Sequence, residues 1–139
     1  MGKLRFTLEQ RQVIEARNCS TLVSAAAGSG KTAVLVQRII EKLMDCESPQ
    51  DIHRLLVVTY TNAAAAELRE KITVRLQQLI REGISDDRKR ENAAKALNSI
   101  ELMQISTIHS FLFKVLRENA FEAGVVTDAR LLEDSADLA

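Results

Sequence analysis

The chain has 139 residues, enough for one compact domain with a real core and too few for two ordinary ones. Apolar residues make up 46% and charged residues 27%, which excludes a disordered chain and describes a globular one. The 19 basic and 19 acidic side chains cancel, so a surface that coats nucleic acid by bulk charge is excluded, while a local basic or amide-rich groove is not.

The opening MGKLRFTLEQ has no long apolar core, and no run approaches the roughly 18 apolar residues that span a bilayer. No membrane segment is predicted, and a cytoplasmic location is expected by default. Thr7 followed three residues on by Gln10 is a capping-box pattern that predicts a short helix in TLEQRQVIEAR. STLVSA, Ser20 to Ala25, is β-branched and apolar and ends at glycines, which predicts a buried strand. From Gly30 onward Leu35, Val36, Ile39, Ile40 and Leu43 recur at helical spacing and predict an amphipathic helix to about Met44.

The only proline, Pro49, marks a loop in CESPQD. RLLVVTY, Arg54 to Tyr60, is a continuous apolar run of the kind found in parallel sheets buried on both faces. A helix is predicted from near Thr61 to near Gly83, with Leu68, Ile72, Leu76, Leu79 and Ile80 on one face. A further helix is predicted in SDDRKRENAAKALNSI, with Ser85 as N-cap, Asp86 and Asp87 near its positive end, and its charges solvated. LMQISTI, Leu102 to Ile108, reads as a third strand, and HSFLFKVLREN as a helix with Phe111, Leu112, Val115 and Leu116 inward. After Gly124 the signal fades into a stretch with room for one more short strand or helix.

Cys19 and Cys46 are far apart and form no C-x-x-C pair, so neither a disulfide framework nor a zinc site is predicted, and each is expected as a small buried or half-buried apolar side chain. His53 and His109 have no ligand cluster around them in sequence, so no structural metal is predicted. Strands alternating with helices predict an α/β fold with a largely parallel sheet, in one unit over residues 1–139.

AAAGSGKT matches the phosphate-loop pattern G-x-x-x-x-G-K-[ST], with Ala25 in place of the first glycine. A triphosphate needs several backbone N–H groups converging on its oxygens, which requires a loop that approaches closely and then enters a helix N-terminus. Gly28 and Gly30 would permit that approach, and the amides from Ala27 to Thr32 would form the cradle beside Ala25, Ala26 and Ser29. Lys31 would set its ammonium between the terminal phosphates, and Thr32 would offer its hydroxyl to Mg²⁺. The plain alternative is a chance glycine turn between a strand and a helix.

If the strands are parallel, the strand-to-helix junctions open on one edge, where ligands of such sheets sit. The second junction carries Thr59, Tyr60, Thr61 and Asn62, and the third carries Ser106, Thr107, His109 and Ser110. Both are rich in hydrogen-bonding groups at helix N-termini, and Tyr60 adds an aromatic face suited to a single-stranded base. Each residue also has a structural reading: Thr61 and Asn62 as helix caps, Tyr60 as core, His109 as a satisfied structural histidine.

Together these stretches resemble superfamily 1 DNA helicases of the UvrD, Rep and PcrA type. FTLEQRQVI is similar to their Q motif, AAAGSGKT to their Walker A loop, LLVVTYTNAAAAELREKI to motif Ia and ISTIHSFLFKVLREN to motif Ic. SAAAGSGKTAVLV and RLLVVTYTNAAAAE are particularly similar to the AddA branch, the helicase-nuclease subunits related to RecB, and Ala63 stands where lysine is common in the UvrD type. The resemblance implies a P-loop, RecA-like three-layer fold, of which this chain is an incomplete N-terminal part of helicase domain 1A. It implies ATP and Mg²⁺ as cofactors, single- and double-stranded DNA as partners, and a second, AddB-like subunit.

It further implies that Gln10 recognises adenine, that Gly28 to Thr32 hold the phosphates and Mg²⁺, and that Tyr60, Thr61, Asn62, His109 and Ser110 meet single-stranded DNA. Gln10 equally fits the third helical position of the capping box begun by Thr7.

Hydrolysis needs more than a cradle: the family's Walker B segment is an Asp-Glu pair after an apolar strand, and no Asp-Glu dipeptide occurs here. The chain is therefore expected to be part of a larger motor and inactive alone. Two other functions fit the loop: a small P-loop kinase, and a nucleotide-binding regulatory module that never hydrolyses.

Overall fold

The computed structural model describes residues 5–26, 28–49 and 51–124. The first helix, α1 (Leu8–Glu15), starts at the predicted capping box: the Thr7 hydroxyl accepts from the Gln10 amide at 3.3 Å, and Gln10 Oε1 accepts from the Thr7 amide at 2.9 Å. Helix α2 (Lys31–Leu43) ends at Met44, as its periodicity predicts. The guanidinium of Arg38 donates to the Val13 carbonyl, and that of Arg17 donates to the Ile14 carbonyl at 2.8 Å. Carbonyls in the last turn of α1, which have no partner inside the helix, are thus satisfied by side chains that tie α1 to α2 and to the segment beyond it.

A 3₁₀ turn (Ile52–Arg54), with Asp51 as its cap, leads into strand β1 (Leu56–Thr59). Helix α3 (Asn62–Glu82) follows, capped by Thr61 and closed at Gly83, whose φ of +84° favours glycine. Helix α4 (Asp87–Asn98) is capped by Asp86, one residue after the predicted Ser85, because the Asp86 carboxylate accepts from the Lys89 amide at 3.0 Å. A second 3₁₀ turn (Ile100–Leu102) precedes strand β2 (Gln104–Thr107), which runs directly into helix α5 (Ile108–Glu118).

The two strands pair in parallel with Leu56 opposite Gln104 and Thr59 opposite Thr107, and α3 and α4 form the crossover between them. The predicted α/β class with a parallel sheet is borne out at this scale. The core lies on one side of the sheet, where Ile39, Ile40 and Leu43 of α2 meet Leu68, Ile72 and Leu76 of α3, Ala93 and Ala96 of α4, and Ile105 of β2. Ile40, Ile72 and Leu76 are fully buried, each worth about 1.5–3 kcal/mol of transfer free energy. The Arg69 guanidinium of α3 reaches the start of β2, donating to the Ile100 carbonyl at 2.8 Å and the Met103 carbonyl at 3.1 Å.

Three predictions about burial fail for one reason. Ser20–Ala25 is not a buried strand: it is exposed, with Leu22 96% accessible, and pairs with no described residue. β1 is covered on one face only, leaving Leu56 and Val58 exposed. α5 buries none of its residues, for Leu112, Val115 and Leu116 are exposed and Phe111 is half-buried. The apolar pattern of each stretch suits burial, but among the described residues no neighbour covers it. β2 is also shorter than predicted, since Leu102 belongs to the 3₁₀ turn and Ile108 to α5.

Cys46 is half-buried as expected, whereas Cys19 is exposed, in the same uncovered stretch. The segment after Gly124 lies outside the described residues, as does Ala27.

Candidate functional site

The glycine loop is built on two left-handed residues, Gly28 at φ +78° and Gly30 at φ +84°. Gly30 is also the N-cap of α2, and since it has no side chain the helix begins without a side-chain cap. The Gly30 carbonyl accepts from the Val34 amide at 3.0 Å, so the amides of Lys31, Thr32 and Ala33 have no partner from the preceding turn. Unpartnered amides at the positive end of a thirteen-residue helix are the physical elements of an anion cradle.

Lys31 folds back over the loop, its ammonium donating to the Ala25 carbonyl at 2.6 Å and the Ala26 carbonyl at 2.7 Å. The cation is thereby held at the mouth of the loop, on exposed carbonyls that an anion's oxygens could replace. Thr32, one residue into the helix, is exposed. Gln10 joins the loop from α1: its Oε1 closes the capping box while its Nε2 donates to the Ser29 carbonyl at 3.1 Å. The capping role is thus realised, and the same side chain braces the loop.

The residues therefore fit a nucleotide triphosphate, with Lys31, Ser29, Gly30 and Thr32 on one exposed rim. Among the described residues no group of three or more His, Cys, Asp or Glu side chains stands ready to hold a metal ion. A hard cation here would rely on phosphate oxygens, water and the Thr32 hydroxyl, which is the usual manner of Mg²⁺.

The other predicted residues gather at the carboxyl end of the sheet. Because Thr59 and Thr107 are register partners, the junction that carries Tyr60, Thr61 and Asn62 lies beside the one that carries His109 and Ser110. Thr61 caps α3, its hydroxyl accepting from the Ala64 amide at 3.1 Å, and the Thr59 hydroxyl donates to the Thr61 carbonyl at 2.9 Å. Thr107 caps α5 in the same way, accepting from the Ser110 amide at 3.2 Å, and its hydroxyl donates to Ser110 Oγ at 2.9 Å. Tyr60 is 96% accessible, which removes the core reading of its ring. Asn62 and His109 are exposed as well.

The structure thus brings Tyr60, Thr61, Asn62, His109 and Ser110 to one edge, and Gln10 to the glycine loop. It does not join loop and edge through the sheet, because the stretch before the loop is unpaired. Arg69, which anchors β2 against α3, was invisible in the sequence, since nothing local marks an arginine that reaches carbonyls more than thirty residues away. Thr59 and Thr107 offered the only signal for the hydrogen-bond brace of the edge, as hydroxyls at the ends of apolar runs.

The arrangement of loop and edge is shared with known proteins. The UvrD/REP helicase N-terminal domain matches residues 6–138. The chain belongs to this family. It is 45% identical over 135 residues to the A chain of the ATP-dependent helicase/nuclease of Clostridium botulinum strain Kyoto, an alignment covering 97% of this chain and 10% of that protein. A second relative, the protein of the same description from Clostridium novyi strain NT, is 46% identical over 119 residues, covering 86% of this chain and 9% of the relative. The chain thus spans about a tenth of the length of the curated relatives it matches. As a UvrD/REP family member it carries the loop and both helix tips, and no described helix is long and apolar enough to cross a membrane.

Proposed function

We propose that these residues form the ATP-binding and part of the DNA-binding surface of an ATP-dependent DNA helicase, working within a helicase-nuclease in recombination and double-strand-break repair. The single observation that carries this is the left-handed glycine loop opening into an uncapped α2, with the Lys31 ammonium already poised at its mouth. In this reading the amides of Ser29 to Thr32 take the phosphate oxygens and Lys31 leaves the Ala25 and Ala26 carbonyls for the terminal phosphates. Thr32 holds Mg²⁺, which neutralises the charge that develops on the transferred phosphoryl group. Ala25, Ala26 and Ala27 shape the loop, and Gln10 releases Ser29 to meet adenine.

Tyr60, Thr61, Asn62, His109 and Ser110 contact single-stranded DNA at the sheet edge. A ring as open as that of Tyr60 can stack on a base of any sequence, while exposed amide and hydroxyl groups beside it reach the backbone. The RecA-like three-layer fold follows from the same reading: Ser20–Ala25, the bare face of β1 and the apolar side of α5 are the surfaces that further strands and helices would cover. Residues 1–139 are then the first part of domain 1A, and the acid that positions the attacking water is supplied elsewhere in a protein of the relatives' length. An AddB-like partner protein and a cytoplasmic location complete the proposal.

The test is DNA-stimulated ATP hydrolysis by the full-length protein. Lys31→Ala should abolish it while leaving the melting temperature nearly unchanged, because the lysine is exposed. Turnover at the wild-type rate would overturn the placement of the lysine, and nucleotide binding wholly indifferent to DNA would favour a regulatory module.

A further inference from the structure

Helix α5 has two unlike sides. Ile108, Leu112, Val115 and Leu116 share one side at three- and four-residue spacing, and Ser110, Phe113, Lys114 and Arg117 share the opposite one. The apolar side is the one further protein would cover, which leaves the other side free. Along that free side runs a surface groove of about 440 Å³, lined by Ser110, Phe113, Lys114, Arg117 and Glu118. A second groove of about 330 Å³ meets it at Ser110 and Lys114 and is bordered by Gln104 and Ser106 of β2.

We propose that this side of α5 is a single-stranded DNA subsite that continues the path from Ser110 away from the sheet edge. The inference rests on the reading of Ser110 as a DNA contact. Its chemistry is that of a strand track: two cations for successive phosphates, one aromatic face for a base, and hydroxyl and amide groups between them. Arg117 makes no ion pair among the described residues. Lys114 makes only a loose one, 3.7 Å from Glu118 Oε1 with both side chains at least half exposed, which a phosphate can displace at little cost. Both cations also lie toward the C-terminal end of α5, where positive charge is favoured, so they are stable there without DNA. A peptide occupant would instead want the apolar side.

The experiment is oligo(dT) binding by the full-length protein, followed by fluorescence anisotropy at several salt concentrations. Each phosphate contact on a single strand contributes about 0.7 to the slope of log K against log salt. Lys114→Ala with Arg117→Ala should therefore lower the slope by about 1.4, and Lys114→Arg with Arg117→Lys should restore it. If wild-type protein binds and the alanine pair keeps the wild-type slope, the subsite is overturned while the proposed function stands. A weaker affinity with an unchanged slope overturns it equally, since that is the signature of an indirect structural effect. Failure of the wild-type protein to bind oligo(dT) would remove the proposed function and this subsite together.

Discussion

Thr59 and Thr107 face each other as the last residues of two parallel strands, and each hydroxyl is committed to the start of the helix that follows. Thr107 is the more demanding of the two, because it is 8% accessible and serves both the amide and the hydroxyl of Ser110. Thr107→Val keeps the shape and removes both bonds. It should cost about 1–2 kcal/mol, in the range of a lost helix cap, whereas Thr61→Ala at its exposed counterpart should cost about 1 kcal/mol. Urea unfolding of the two variants checks the order. Equal and negligible losses would mean that the caps do not hold this edge.

The glycine loop makes a prediction about backbone rather than contact. An alanine Cβ at Gly30 would sit 3.5 Å from Gln10 Nε2, an ordinary distance, and one at Gly28 would meet nothing within 4 Å. Any penalty is therefore conformational, about 1–2 kcal/mol for placing an L-residue in the left-handed region. Gly28→Ala and Gly30→Ala should be destabilised by similar amounts in thermal melts. A much larger loss at Gly30 would show that crowding against Gln10, not φ, dictates glycine there.

The helices were legible because their signals are local. The Thr7–Gln10 capping box, the apolar spacing of Ile39, Ile40 and Leu43, and the stop at Gly83 each act within one or two turns. The N-cap of α4 slipped from Ser85 to Asp86 because both residue types cap well and only the geometry chooses between them. Strands are different, for an apolar run states that a segment can be buried but not that a neighbour is present. Hence Leu22 and Val58 are exposed although their stretches read as sheet interior. At the site, glycine, lysine and threonine were readable from spacing. The folding of Lys31 onto the Ala25 and Ala26 carbonyls and the bridge from Gln10 to Ser29 were not, since both depend on the path of the loop.

Arg69 offers a test of how β2 is held. Its planar guanidinium serves the Ile100 and Met103 carbonyls at once, a fork that one lysine ammonium reproduces poorly. Arg69→Lys should lose about 1–3 kcal/mol, the cost of leaving a partly buried polar group short of a partner. Amide hydrogen exchange in Gln104–Thr107 should accelerate more than exchange in α2. Uniform acceleration across the chain would mean that the arginine supports the fold at large rather than this strand.

Cys46 connects the electrostatics of α4 to reactivity. Partial burial first, and then the Asp86 carboxylate that accepts from its thiol at 3.6 Å, raise its pKa above the usual cysteine value. Since the thiolate is the nucleophile, Cys46 should be alkylated slowly at neutral pH and more slowly than exposed Cys19. Asp86→Asn removes the neighbouring charge and should speed modification of Cys46 in a mass-spectrometric time course. No change would place the whole effect in burial.

The same aspartate predicts the acid limb of stability. Amide hydrogen bonds, from Lys89 to Asp86 and from Ser48 and Glu47 to Asp45, hold both carboxyls below their ordinary range in the folded chain. A carboxyl whose folded pKa lies below its unfolded one releases its proton more readily when folded, so the unfolded chain binds more protons at low pH. Its contribution is complete above the unfolded carboxylate value of about 3.9 and is lost as pH falls through the depressed folded value. The urea midpoint should therefore decline from about pH 4 downward. Asp86→Asn still offers an oxygen to the Lys89 amide but has no proton to gain, so its decline should be shallower than that of the wild type. A variant with the same acid slope would show that the α4 cap holds equally well when protonated, and that other carboxylates govern the transition.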